Sequence, residues 1–176
     1  MRKLSMEELG RKSVAEFRSA GKTPLVLVLD NVRSLQNVGS VFRTADAFLL
    51  QKIYLCGYTG TPPHRDIQKT ALGATETVEW EYVKETVAAV EILREEGYAV
   101  WAAEQAAGSM PLDTFVPEPG RPLAVVLGNE VYGVQDAVME IVDGSIEIPQ
   151  LGMKHSLNIA VSAGIVAWDL FQKIRN

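Results

Sequence analysis

Two uninterrupted apolar runs, Leu25-Val26-Leu27-Val28-Leu29 and Leu123-Ala124-Val125-Val126-Leu127, restrict this chain more than any other feature. A half-exposed strand alternates apolar and polar side chains, whereas five apolar residues in succession suit a strand covered on both faces. Segments of helical spacing separate such runs along the chain. A helix is expected from about Val38 to Leu49, a second strand at Ile53-Tyr54-Leu55-Cys56, and a short helix from Asp66 to Ala71 broken at Gly73. Val78-Glu79-Trp80-Glu81-Tyr82 alternates and reads as an edge or half-exposed strand. Glu85 to Glu96 is the clearest amphipathic helix, with Val87, Val90, Ile92 and Leu93 inward and Gly97 as its stop. Tyr98 to Ala103 is the next strand, and Glu104 to Gly120 is mostly loop around three prolines. A short helix at Gln135 to Ile141, a strand at Ile146–Ile148 and a terminal helix from His155 to Ile174 complete the order. The alternation predicts an α/β domain with a mainly parallel sheet and helices on both faces. Its 176 residues have the length of one domain.

Residues 1–24 read as a basic N-terminal helical extension to a domain spanning 25–176. Leu4, Leu9, Val14 and Phe17 have loose helical spacing over residues 4–20, Ser5 and Glu8 form a capping box, and Gly21 stops the helix. Arg2, Lys3, Arg11, Lys12, Arg18 and Lys22 stand against Glu7, Glu8 and Glu16, a net +3 in a chain of net −5. Such a segment is either an electrostatic foot for phosphate backbones or a solvated amphipathic helix.

One cysteine, Cys56, excludes a disulfide framework, and two histidines leave no support for a Cys/His zinc site, so no metal is expected. Cys56 follows an apolar run and reads as a buried thiol. No charged-then-apolar N-terminal pattern marks a signal peptide, and Leu157 to Phe171 is too short to span a bilayer. The expected location is cytoplasmic, away from membranes. Walker-type, Gly-x-Gly-x-x-Gly and Gly-x-Ser-x-Gly patterns are absent, and neither His64 nor His155 has an evident Asp partner for a triad.

Three stretches carry polar groups to the mouths of strand–loop–helix junctions, where α/β folds place ligands. In Asn31 to Asp46, Asn37 is placed to cap the helix, Gly39 allows close approach of a backbone or ligand, and Arg43 lies one turn later on the same face. Its guanidinium either reaches back toward that mouth or pairs with Asp46 or Asp30. In Leu127-Gly128-Asn129-Glu130, a buried strand ends in a glycine and then a carboxylate. In Ile146 to Gly164, a strand, a proline and a loop lead into Ser156-Leu157-Asn158 at the head of an apolar helix, where Ser156 either caps that helix or meets a ligand.

Together these stretches closely resemble the three motifs of the SpoU (TrmH-like) family within the SPOUT class of RNA methyltransferases. The motifs are Asn31…Asn37-x-Gly39…Arg43, Leu127-Gly128-Asn129-Glu130…Gly133 and Ile148-Pro149-Gln150-x-Gly152…Ser156-Leu157-Asn158, in order and at matching spacing over about residues 25–174. The resemblance implies a C-terminal trefoil knot, a homodimer with an active site completed across its interface, and S-adenosyl-L-methionine bound in the knot. It implies methyl transfer to a ribose 2′-hydroxyl of RNA. Arg43 would be the key catalytic residue, acting with a substrate phosphate because a free guanidinium is a poor base. Asn37, Ser156 and Asn158 would orient Arg43 and the ribose. Glu130 would brace the cofactor loop, with backbone contacts to the cofactor from Ala103, Gly128, Ile148 and Leu157. The terminal helix fits a dimer role, with a small-residue face of Ala160, Ala163, Gly164 and Ala167 and an apolar face of Val161, Ile165, Trp168 and Phe171. Some family members carry an added RNA-binding domain; the short basic segment here points to a compact substrate, transfer RNA ahead of ribosomal RNA. A non-catalytic RNA-binding protein and a base-nitrogen methyltransferase are the competing readings. The intact polar motif positions disfavour the first, and the Asn–Gly–Arg motif disfavours the second.

Overall fold

The structure, a computed structural model, describes all residues except Met6, Arg11, His155 and Asn176. Its elements are α1 (Val14–Ser19), β1 (Thr23–Asp30), α2 (Leu35–Ala47), β2 (Leu50–Cys56), α3 (Arg65–Ala71), α4 (Ala74–Thr77) and β3 (Trp80–Val83). These are followed by α5 (Thr86–Glu95), β4 (Ala99–Ala103), β5 (Met110–Pro111), β6 (Leu123–Leu127), α6 (Asp136–Met139), β7 (Gly144–Glu147) and α7 (Ile159–Arg175).

The two apolar runs lie side by side at the centre of a seven-stranded parallel sheet of order β3-β2-β1-β6-β4-β7-β5. Leu25, Leu27 and Leu29 of β1, with Leu123, Val125 and Leu127 of β6, point to one face, where Phe42 of α2 and Val166 and Leu170 of α7 join them. Val26, Val28, Ala124 and Val126 point to the other, against Val90 and Leu93 of α5 and Val138 of α6. Full burial of each such side chain is worth about 1.5–3 kcal/mol, so the uninterrupted runs are the sheet's main anchor. The alternating segment at Trp80 is the edge strand β3, with Glu81 and Tyr82 exposed. Cys56 is fully buried, and burial, with Asp30 nearby, pushes its thiol up to about 12.

Several boundaries differ from the sequence reading. Among the described residues, no single helix covers 4–20. Ser5 and Glu8 do exchange reciprocal hydrogen bonds, but they close only one turn, and Gly10 follows at φ +57. A second capping box, Ser13 with Glu16, starts α1 afresh. Phe17 then enters the main core, so α1 packs onto the domain.

The second helix begins three residues earlier than expected, because Ser34 is its N-cap and accepts from the Asn37 N–H at 3.2 Å. Asn37 is therefore not a cap, and its side chain is free for other bonds. Gly39 faces protein: a Cβ there would stand 2.2 Å from the Ile67 carbonyl oxygen and from Thr70 Oγ1, so the glycine lets α3 lie directly on α2. The terminal helix starts at Ile159; His155, where the sequence reading began it, lies outside the described residues. Asn158, not Ser156, caps α7, its Oδ1 accepting from Ala160 N at 2.9 Å and its carbonyl from Ser162 N at 2.9 Å.

Candidate active site

The carboxyl ends of β4, β6 and β7 open onto a cleft of about 820 Å³. This is where an open parallel sheet leaves room for ligands, since the loops there diverge to opposite faces. Ala103, Gly128, Glu130, Ile148, Ser156, Leu157 and Asn158 all line it. Gly128 serves the wall itself: a Cβ there would stand 2.1 Å from the Gly133 carbonyl carbon, so the loop folds back onto its own start. Asn129 and Gly133 close that loop with paired backbone bonds of 2.9 Å.

A chain of polar contacts joins all three sequence stretches at the rim. Glu130 accepts from the backbone N–H groups of Arg33 and Ser34, each at 3.0 Å, and from Asn37 Nδ2 at 3.1 Å. Asn37 Oδ1 in turn accepts from Asn158 Nδ2 at 3.2 Å. The carboxylate can only accept here, which sets the orientation of the Asn37 amide. The bond from Ala160 N sets that of Asn158 in the same sense. Partial burial pushes the Glu130 carboxyl up, but the Arg33 and Ser34 N–H groups and the Asn37 amide outweigh it and hold the group below its usual range. The positive end of the α2 dipole lies at the same place and favours the same ionised state.

Arg43 lies outside the cleft. It is exposed on α2, in a second hollow of about 520 Å³ with Ser40, Thr44, Phe48, Lys69, Thr70 and Gly164. Six residues separate it from Asn37, roughly 9 Å of helix rise, more than the one turn a side chain leans back. The surface pairing with Asp46 or Asp30 is not formed either. Asp46 accepts from the Thr77 hydroxyl at 2.6 Å, and Asp30 is buried among Asn31, Thr86 and Gln135. Among the described residues Arg43 has no ion-pair partner.

Residues 24–168 match the SpoU rRNA Methylase family. The chain belongs to that family. Among its curated SpoU relatives is a Vibrio parahaemolyticus 23S rRNA (guanosine-2′-O-)-methyltransferase, 31% identical over 169 residues, covering 96% of this chain and 66% of the relative. A Thermus thermophilus tRNA (guanosine(18)-2′-O)-methyltransferase is 28% identical over 165 residues, covering 92% of this chain and 81% of the relative. The AdoMet-bound rRNA methyltransferase of Sinorhizobium meliloti superposes with a TM-score of 0.79 at 27% identity, covering 88% of this chain and 57% of that one. This SpoU-family chain thus spans just under two thirds of the length of the Vibrio relative it matches.

Sequence reasoning missed three supports of the SpoU-family cleft. Glu104 accepts from Val134 N at 3.0 Å and fills the space beside Gly133, where a Cβ would stand 2.2 Å from its carboxylate. Asp30 accepts from Thr86 Oγ1 at 2.6 Å and from Gln135 N at 2.9 Å, docking the starts of α5 and α6 on the end of β1. Asn129 Nδ2 donates to the Asn31 carbonyl at 2.7 Å. A polar residue directly after a buried run was the available signal for Asp30. None marked Glu104, whose partners are distant in sequence.

Proposed function

We propose that this protein is an S-adenosyl-L-methionine-dependent RNA methyltransferase acting on a ribose 2′-hydroxyl. The observation that carries this reading is the Glu130–Asn37–Asn158 contact chain at the rim of the cleft. The cleft also fits the cofactor. Its volume is in the range of small-molecule sites, and its charged lining residues are the carboxylates of Glu104, Glu130, Asp136 and Glu147, with no Lys or Arg among the described ones. That charge favours a ligand carrying a cationic sulfonium over a free nucleoside polyphosphate. Bound there, the cofactor supplies an electrophilic methyl group on a good leaving group.

The protein then has to align the hydroxyl and remove a proton from a weak acid. Backbone at Ala103, Gly128, Ile148 and Leu157 would hold the cofactor, and Glu130 ties the loop that carries Gly128 to the residues just before α2. Asn37, Asn158 and Ser156 orient the ribose. Arg43 binds the adjoining phosphate and stabilises the developing alkoxide, with the phosphate as proton acceptor. Because Arg43 sits outside its own cleft, the active site is completed in a homodimer. The apolar strip Val161, Ile165 and Trp168 on the exposed side of α7 supports such an interface. The family's trefoil knot, the domain at 25–176 and a cytoplasmic location belong to the same proposal. No helix among the described residues is long and apolar enough to cross a membrane. Transfer RNA is the favoured substrate and ribosomal RNA the alternative; enzymes of both kinds are among the relatives.

Incubation with methyl-labelled cofactor and total RNA tests the reading. Label should enter RNA in alkali-resistant dinucleotides, because a methylated 2′-oxygen cannot attack the neighbouring phosphate. Cofactor binding without transfer to any RNA would favour the non-catalytic reading instead.

The basic extension is a separate proposal. Arg2 is paired with Glu8, while Arg18 and Lys22 bond the carbonyls of Glu76 and Phe17; Arg11 lies outside the described residues. Among the described residues of this segment, Lys3 and Lys12 are the basic side chains without such a partner. Since Phe17 is a core residue, the clean truncation removes residues 1–12. It is expected to weaken RNA binding modestly and to flatten its dependence on salt. An unchanged salt slope would show that the segment makes no phosphate contact.

A further inference from the structure

Two tyrosines at the carboxyl edge of the sheet, Tyr58 and Tyr132, are each 86% exposed. Single exposed apolar groups are common, but here the backbone N–H of each tyrosine and of both its neighbours is hydrogen-bonded. After β2, Gly57 N donates to the Val83 carbonyl at 3.3 Å, Tyr58 N to Asn31 Oδ1 at 2.9 Å, and Thr59 N to the Cys56 carbonyl at 3.1 Å. Gly57, at φ +62, admits the Asn31 amide to this loop, since a Cβ there would stand 2.1 Å from Asn31 Oδ1. After β6, Asn129 Oδ1 accepts from Val131 N at 2.8 Å and Tyr132 N at 3.2 Å inside the closed Asn129–Gly133 turn. The two loops are tied together where Asn129 Nδ2 donates to the Asn31 carbonyl.

The strand order β2-β1-β6 puts the roots of these loops roughly 10 Å apart, twice the spacing of neighbouring strands. Between them, after β1, stands the exposed Arg33. Tyr132 also lines the cofactor cleft, so the surface is continuous with the place where the methyl group is delivered. An exposed aromatic ring beside a cation is suited to stacking a flat base, and the hydrogen-bonded backbone that carries it is ordered before the ligand arrives. A chain of net −5 gains little from bulk charge when it meets RNA, which leaves more of the affinity to contacts of this kind.

We propose that Tyr58 and Tyr132, with Arg33 between them, form a stacking platform for unpaired bases flanking the methylated nucleotide. The inference rests on the RNA methyltransferase reading and adds to it Tyr58, outside the three motifs, together with Arg33 and Tyr132, positions the motifs leave unspecified. Stacking needs splayed-out bases, so the platform selects single-stranded or looped RNA over duplex.

The test measures fluorescence anisotropy of a labelled twelve-nucleotide oligoadenylate and of the matching adenylate–uridylate duplex, without cofactor. Tyr58→Ala and Tyr132→Ala should each weaken oligoadenylate binding about tenfold while leaving its salt slope and the duplex affinity unchanged. Tyr58→Phe and Tyr132→Phe should bind as the parent protein does, because the ring and not the hydroxyl is used. Unchanged binding by both alanine variants would overturn the proposal, as would phenylalanine variants as weak as alanine or an equal loss on duplex. Methyl transfer to total RNA, assayed on the same proteins, separates the two readings. Transfer by the parent protein with no effect of the alanine variants on oligoadenylate removes the platform alone. Ring-dependent binding without any transfer keeps the platform and removes the enzyme.

Discussion

Replacing Arg43 by alanine is expected to lower methyl transfer by about 10²–10⁴-fold while leaving S-adenosylmethionine affinity nearly unchanged. The split follows from where the side chain lies. Arg43 is exposed on α2 and lines a hollow of its own, and no wall of the cofactor cleft includes it. Its loss removes no buried contact, so stability should move by no more than about 0.5 kcal/mol. Lysine is expected to restore little, since a point charge does not reproduce the planar, two-pronged grip of a guanidinium on a phosphate. Titration calorimetry and single-turnover transfer on the same preparation check both halves. A large loss of cofactor binding in Arg43→Ala would contradict the assignment.

Loss of the Glu130 carboxylate is expected to damage binding and transfer together. It accepts from the N–H groups of Arg33 and Ser34, just before α2, and from the Asn37 amide, so alanine leaves three donors without their acceptor. Removing such a charge-assisted set costs about 1–3 kcal/mol, and the Asn37–Asn158 contact loses its orientation with it. Glutamine is only a partial replacement: its amide nitrogen must face either Arg33 N or the Ser34 and Asn37 donors, setting donor against donor. A double-mutant cycle with Asn37→Ala should therefore return a coupling well above the error of additivity, about 0.5 kcal/mol.

The pH dependence carries a sign. The folded state holds the Glu130 carboxyl below its ordinary value of 4.5, so the unfolded chain takes up the proton first as pH falls. The stabilising contribution is complete above that value and is lost as pH drops through the lower folded one. Urea unfolding should show a constant gap between the parent protein and Glu130→Gln above about pH 5, narrowing in more acid solution. A gap that widens toward low pH would contradict the bonding described for this carboxylate.

The centre of the fold was legible because its signal is local. Leu25–Leu29 and Leu123–Leu127 are buried on both faces, and the apolar run alone declares this. The ends of elements were less so. Ser34, not Asn37, caps α2, and Asn158, not Ser156, caps α7, since each junction offers several residues able to cap and tertiary contacts select among them. Asn37 was expected at the mouth of the site and is found there, one turn inside the helix, because Glu130 ninety-three residues away takes its amide. The motif positions of the cleft were legible as a set through their order and spacing. Arg43 was legible as a functional candidate, but its place outside the cleft follows from the rise of α2, which a motif does not display. Glu104 and Asp30 act by bonds to residues thirty or more positions distant, and no pattern along the chain announces such partners.

The central claim is that the methyl group is delivered to a ribose oxygen at the joined motifs. The most direct test is nuclease digestion of RNA methylated by the purified protein, followed by mass spectrometry of the nucleosides. The account predicts a methyl group that stays with the sugar fragment when the glycosidic bond breaks, and its disappearance in Arg43→Ala. A methyl group that leaves with the base would contradict it.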